Sequence, residues 1–365
     1  MNKKLALAIF GGVLAVTLLL AGVVFLNRDR FLSRLAAPGP RPVSQAGSHS
    51  ASPASRTGTD TVDKAIQAYR YSTRMAYNGR RFDELERLAD EARSSKAKFG
   101  NGSWKIYQFY DSLGCDSSEP EGMWQLHDTI HKDWVAAKPD SITARTAQIV
   151  FLVEYAWRAR GNGYADTVTA EGGRVFDERL KMAHQALDGS RNLSGKCPVW
   201  WSAGMRLALG ESWPRDVYDR FYAEAKRLEP GFWNYDTSRS NFLALKWYGG
   251  PGEWEQAAET AADDPNGLGL EVYARCVLYQ RSNYRNIFRE SKASWPKTKE
   301  GFELMRQRYP ESLELASAYC RMACIAEDRA TAKQLFDRLG GNVFSYIWSN
   351  RELLESDRAW ANGER

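Results

Sequence analysis

From Thr61 onward, apolar side chains recur at steps of three and four residues, and no segment alternates apolar and polar with a period of two. That pattern predicts helices and no sheet. Val62, Ile66, Tyr69, Ser72 and Met75 fall near one face, Asn78-Gly79 breaks the chain, and Phe82, Leu85, Leu88, Ala89 and Ala92 form a second stripe. Two short helices joined by a tight turn make a hairpin with a single apolar side.

Similar pairs follow. Pro139-Asp140-Ser141 predicts the start of a long helix through Tyr155 and Trp157, with Phe176, Leu180, Ala183 and Leu187 on its partner. Pro198 begins a pair in which Met205 and Leu209 face Tyr218, Tyr222, Ala225 and Leu228. Pro230 precedes a helix through Phe242, Leu245 and Trp247; beyond Gly249-Gly250-Pro251-Gly252 its partner carries Trp254, Ala257, Ala258 and Ala261. Pro310-Glu311-Ser312 begins a last clear pair, with Leu315, Tyr319 and Ala323 against Ala332, Leu335 and Phe336. The four prolines are expected at first helical positions. Their separations of 59, 32 and 80 residues follow no fixed period. The expectation is an all-α fold over residues 61–360, an irregular tetratricopeptide-like stack of helical hairpins (an α-solenoid) in which each hairpin covers its neighbour's apolar face.

The amino-terminal residues follow a different pattern. Behind a head of residues 1–4, Leu5 to Leu26 is a run of 22 residues with no charge and one hydroxyl, Thr17. At about 1.5 Å per residue a helix of that length covers roughly 33 Å, enough for a hydrocarbon core of about 30 Å. The run is too long for the core of a cleaved signal peptide and ends without a small-residue cleavage site, so an uncleaved signal anchor is expected. Residues 27–60, rich in Pro, Ser, Ala and Gly, have little to bury and are expected to be a disordered tether. Lys3 and Lys4 on one side of the run nearly balance Arg28, Arg30, Arg34 and Arg41 on the other. A short lysine-bearing head usually stays in the cytoplasm, which favours a single pass through a bacterial inner membrane with the helical part on the periplasmic side.

Charge sharpens this division. The chain has 365 residues, with 50 Lys and Arg against 45 Asp and Glu. Residues 1–60 hold seven of the basic groups and two of the acidic ones, so the remaining 305 residues carry 43 of each sign. The excess sits beside the apolar run, and the folded part lacks the basic footprint of a nucleic-acid-binding protein. Five cysteines in this length exclude a small disulfide scaffold.

Catalytic devices are scarce. No G-x-S-x-G elbow, G-x-x-x-x-G-K-[ST] loop or strand-borne G-x-G-x-x-G is present. No motif calls for a cofactor. His127 and His131 stand four apart, a spacing that can hold zinc, which makes a metal-dependent hydrolase the alternative function. However, Asp128 stands where a metalloprotease needs Glu, and no third ligand is evident. The plainer expectation is two helix-surface histidines beside the packing residues Trp124 and Trp134. Cys115 and Cys197 lie in loop-like contexts and are open to a bridge in an oxidising compartment. Cys276 and the pair Cys320 and Cys324 are expected to be buried thiols, with Cys320 twelve residues before the small Ala332.

The aromatic content, 13 Trp, 17 Tyr and 15 Phe, is the outlying feature. Most of these rings are expected between helices, and a minority on a binding face. The candidates for that face are Trp157, Arg158 and Arg160 beside the long break at 160–173, Trp200, Trp201 and Arg206, and Trp233 with Tyr235.

Several short patterns are similar to those of an uncharacterised bacterial family, the domain of unknown function 4034. They are Phe82-x-x-Leu85, Gly102-Ser103-Trp104, Phe109-Tyr110-x-x-Leu113 and Pro139-Asp140-Ser141 leading to Tyr155-Ala156-Trp157-x-Ala159-Arg160-Gly161-x-Gly163. Cys197-Pro198-x-Trp200, Trp295-Pro296 and Tyr309-Pro310-x-Ser312 complete the set. The resemblance implies a helical-repeat domain and carries no catalytic residue with it. The expected role is a membrane-tethered module engaging a protein or peptide partner, with an immunity or accessory protein of a secretion or envelope system as a narrower version.

Overall fold

The computed structural model describes residues 60–161, 163 and 165–364. The apolar run Leu5 to Leu26 and residues 27–59 of the tether lie outside the described residues; Asp60, expected in the tether, is described. Among the described residues no helix is long and apolar enough to cross a membrane. Residues 163–169, with a 3-10 turn at Ala165–Thr167, group apart from the helical unit that holds the rest of the described chain.

Among the described residues the chain is all-helical, with sixteen α-helices and no strand beyond an isolated bridge between Lys98 and Trp104. The first hairpin is α1 (Thr61–Asn78) and α2 (Phe82–Ser95). Asp60 caps α1, its carboxylate accepting from the backbone N–H of Val62 at 2.9 Å and Asp63 at 3.1 Å. The buried stripe of α1 is Val62, Ile66, Thr73, Ala76 and Tyr77; Ser72 and Met75, expected on it, are exposed. Successive steps of three residues each rotate by about 60° away from the starting face at 100° per residue, so a stripe needs steps of four as well.

Next come α3 (Lys105–Asp111), α4 (Glu121–Ala137), α5 (Ile142–Arg160) and α6 (Ala170–Gly189). α5 is buried almost all round, from Ile142 through Val153 to Ala156, because α4, α6 and α7 (Pro198–Gly210) all pack on it. The break expected over 160–173 is shorter, since Ala170 to Gly173 are already helical. The series continues with α8 (Arg215–Leu228), α9 (Asn234–Phe242), α10 (Glu253–Ala262) and α11 (Leu270–Gln280). It ends with the single turn α12 (Ile287–Glu290), α13 (Trp295–Arg308), α14 (Leu313–Ile325), α15 (Arg329–Leu339) and α16 (Arg351–Asn362). Alternate helices touch in succession, α5 on α7, α7 on α9, α9 on α11 and α11 on α13, while α6, α8 and α10 pack beside them.

Only Pro198 among the four expected prolines stands at a first helical position. Pro139 and Pro310 lie in the preceding turns, where Ser141 and Ser312 are the caps, accepting from Ala144 N–H at 2.9 Å and Leu315 N–H at 3.2 Å. A serine two residues after proline supplies the acceptor that proline lacks, so the helix begins after the serine. The helix expected to reach Trp247 ends at Phe242; Leu245 is exposed and half-buried Trp247 lies in the following turn.

One loop ties distant parts of this unit together. Between α2 and α3, the Asn101 side-chain amide donates to Glu314 at 2.9 Å, and the Gly102 carbonyl accepts from the Trp233 indole at 3.3 Å. Gly102 has φ +76°, and a Cβ there would lie 2.6 Å from both the Arg275 guanidinium and the Tyr309 ring. Gly102→Ala is therefore expected to cost about 2–3 kcal/mol, from the left-handed backbone and the overpacking together. Urea unfolding of the variant should show the loss, and an unchanged midpoint would refute this account of the loop.

Candidate functional site

The residues singled out from sequence separate into several sets. Trp157 meets Phe176 edge-on at 5.0 Å and Trp247 at 5.5 Å, with the Arg160 guanidinium 5.5 Å from the Trp157 ring. Arg158 turns elsewhere, pairing with Glu121 and lying 5.3 Å from the Trp124 ring. Trp200 and Trp201 pack edge-on at 4.9 Å around Phe221; Trp200 is buried and donates to Ser190 at 2.9 Å. Tyr235 is fully buried, and Trp233 lies against Arg275 in the loop contact described above. Tyr235 therefore belongs to the core, and half-buried Trp233 to the loop contact.

His127 and His131 are buried rather than on the helix surface. Tyr77 from α1 and Phe151 from α5 cover them, with ring centroids 5.2 and 4.8 Å from His131. Burial pushes the imidazoles down to about 4 and about 3, helped by the nearby Arg74 guanidinium. His127 Nδ1 faces the Leu113 carbonyl at 3.3 Å, and neither nitrogen of His131 has a protein partner. A neighbouring guanidinium disfavours a second cation between the two rings. Among the described residues no three His, Cys, Asp or Glu side chains gather as a metal site. All five cysteines are free and buried, so Cys115 and Cys197 are not bridged. Cys197 packs on the Tyr110 hydroxyl at 3.7 Å, and Cys320 lies 3.8 Å from the Ala332 carbonyl.

Arg206 belongs to a different set, one the sequence alone did not single out. It pairs with Glu154 of α5 at 3.1 Å. The other Glu154 oxygen lies against Gly114, whose carbonyl accepts from Arg74 of α1 at 2.6 Å. Asp111 of α3 pairs with Arg70 at 2.7 Å. The hydroxyls of Tyr107 (α3) and Tyr279 (α11) lie within the electrostatic reach of Arg206. From the end of α11 the strip continues through Asn283, which accepts from Lys246 Nζ at 2.8 Å, and Arg281, which donates to the Ile347 carbonyl at 3.2 Å. No family model, curated protein or solved structure matches the chain. The chemistry of the strip is therefore argued from its own residues.

Water and dense packing meet here. Arg206 is 45% exposed and Tyr279 50%, yet burial is the largest influence on the ionisation of each. Burial raises the Glu154 carboxyl; it would lower Arg206, but the Glu154 carboxylate outweighs it and raises that guanidinium. Lys246 is pushed down to about 8 by burial alone. No nucleophile with a base at hydrogen-bonding distance is evident among these residues, and the strip is equipped to hold a ligand through hydrogen bonds, charge and tyrosine rings.

Proposed function

We propose that the chain is a membrane-tethered, tetratricopeptide-like module that engages a protein or peptide partner through the strip formed by α1, α3, α5, α7 and α11. The observation that carries this is that Arg74 of α1, Glu154 of α5 and exposed Arg206 of α7 are linked through Gly114 and an ion pair, with Tyr107 of α3 and exposed Tyr279 of α11 within the electrostatic reach of Arg206. The alternation of helix contacts along the unit supports the hairpin-stack description, since each pair leaves one face for its neighbours and one for a ligand. Leu5 to Leu26 supplies the anchor in this reading, with a single pass in a bacterial inner membrane and the helical part in the periplasm. Membership in the uncharacterised family named above belongs to the same proposal; its Trp104, Phe109, Tyr110 and Leu113 are all buried.

The test is site-specific photo-crosslinking in intact cells with the full-length chain. A crosslinker at Tyr279 is expected to give a discrete adduct that one at Met182, exposed on α6, does not. Adducts at both positions, or at neither, would overturn the proposal.

A further inference from the structure

The strip holds more positive charge than its carboxylates neutralise. Asp111 is taken by Arg70 and Glu154 by Arg206, while the neighbouring Asp357 is taken by Arg321 at 2.6 Å. Arg74, Lys246 and Arg281 form no ion pair with any carboxylate among the described residues. Their partners are neutral: the Gly114 carbonyl and the His127 Nε2 at 3.4 Å for Arg74, the Asn283 side chain for Lys246 and the Ile347 carbonyl for Arg281. An ammonium carries three N–H donors and a guanidinium five, so most of this donor capacity is unspent. All three side chains are half-buried, and burial lowers the pKa of each, the mark of charge held away from water without a counterion. Lys246 reaches the Arg281–Asn283 turn through Asn283, Arg281 opens that turn, and exposed Tyr279 stands just before it.

We propose that the partner is an acidic peptide segment whose carboxylates pair with Lys246 and Arg281 at one end of the strip and with Arg74 at the other, its backbone lying across Tyr279. This rests on the binding-module reading above. Carboxylates complete the site because charge-assisted hydrogen bonds to half-desolvated cations are stronger than those to solvated ones. Neutral peptides leave the three cations as they are, and basic ones are repelled.

The test uses the full-length chain in nanodiscs of zwitterionic lipid and fluorescein-labelled decaglutamate and decalysine, read by anisotropy. Decaglutamate is expected to bind and decalysine not. Lys246→Gln and Arg281→Gln should each weaken decaglutamate by about tenfold, the order of one hydrogen bond between charged groups. Lys246→Arg should retain most of the affinity, as should Lys333→Gln on α15, which removes an exposed ion pair with Asp337. Retained binding by Lys246→Arg shows that a loss in Lys246→Gln is not misfolding. Equal binding of both peptides, or of labelled polyphosphate with the same variant profile, would overturn the proposal in favour of a non-selective surface. If the Tyr279 crosslink forms in cells but decaglutamate does not bind, the acidic partner falls and the module stands. Without the crosslink, the module itself falls.

Discussion

Lowering the pH from 7 to 5 is expected to remove about 4 kcal/mol of folding stability through two side chains, His127 and His131. In the unfolded chain both imidazoles take up protons near their ordinary value of about 6.5. In the folded chain burial holds them down, to about 4 for His127 and about 3 for His131. Between those values the unfolded state binds more protons than the native one, so stability falls as pH falls. At pH 5 each histidine accounts for about 2 kcal/mol, against a usual total of about 5–15. The charged groups around the pair, Arg74 and the half-buried Asp128, do not provide a counterion. Arg74 disfavours the imidazolium outright, and Asp128 is paired with Lys132 at 2.5 Å. Glu154 and Asp236, whose carboxyls burial raises, respond to acid in the opposite sense, so assignment to the histidines needs a variant. His131→Phe suits the aromatic surroundings of Tyr77 and Phe151 and removes two buried nitrogens that lack partners. Urea titrations at pH 7 and pH 5 should show the variant gaining about 2 kcal/mol more over the parent at the lower pH. An equal difference at both pH values would sink this account.

How much of this was legible in the sequence depends on whether the determining contact is local. The first hairpin is local: its periodicity and the Asn-Gly turn were enough to place α1 and α2. The same kind of pattern placed Phe176, Leu180, Ala183 and Leu187 on the buried face of α6. Cys320 against Ala332 also followed, because a twelve-residue spacing across one hairpin is short-range. The burial of His127 and His131 was not local. Their spacing was visible, but Tyr77 and Phe151, which cover them, lie on other helices.

The candidate site was legible only in Arg206. Trp200 and Tyr235 were rich in aromatic signal and proved to be packing, since a ring looks the same in sequence whether it faces a groove or a helix. One signal was available and went unused. Glu154 interrupts an otherwise apolar stretch from Ile149 to Trp157, and a carboxylate there needs a partner, which Arg206 provides. Lys246 and Arg281 gave no such signal, because only the fold brings Lys246 to Asn283 and Arg281 to the Ile347 carbonyl.

Removing the Glu271 carboxylate is expected to be the most damaging single substitution at neutral pH. Glu271 is fully buried on α11, one oxygen accepting from Arg275 Nε at 2.9 Å and the other from Arg308 at 2.6 Å. Arg275, itself buried, lies 4.5 Å from the Trp233 ring and donates to the Asn101 carbonyl at 3.2 Å. The carboxylate therefore holds the charge that seats the Asn101-Gly102 loop. Glu271→Ala leaves Arg275 buried with that carbonyl and aromatic rings, and breaking a buried pair from one side costs about 3–5 kcal/mol. A drop of about 10 °C in the midpoint of thermal unfolding is expected. Replacing both members, Glu271→Met with Arg275→Met, removes the stranded charge and should recover most of the loss, because two apolar side chains of similar length fill the same space. If the double variant is no more stable than Glu271→Ala, the penalty is not the uncompensated guanidinium, and the loop is held by Trp233 and Asn101 instead.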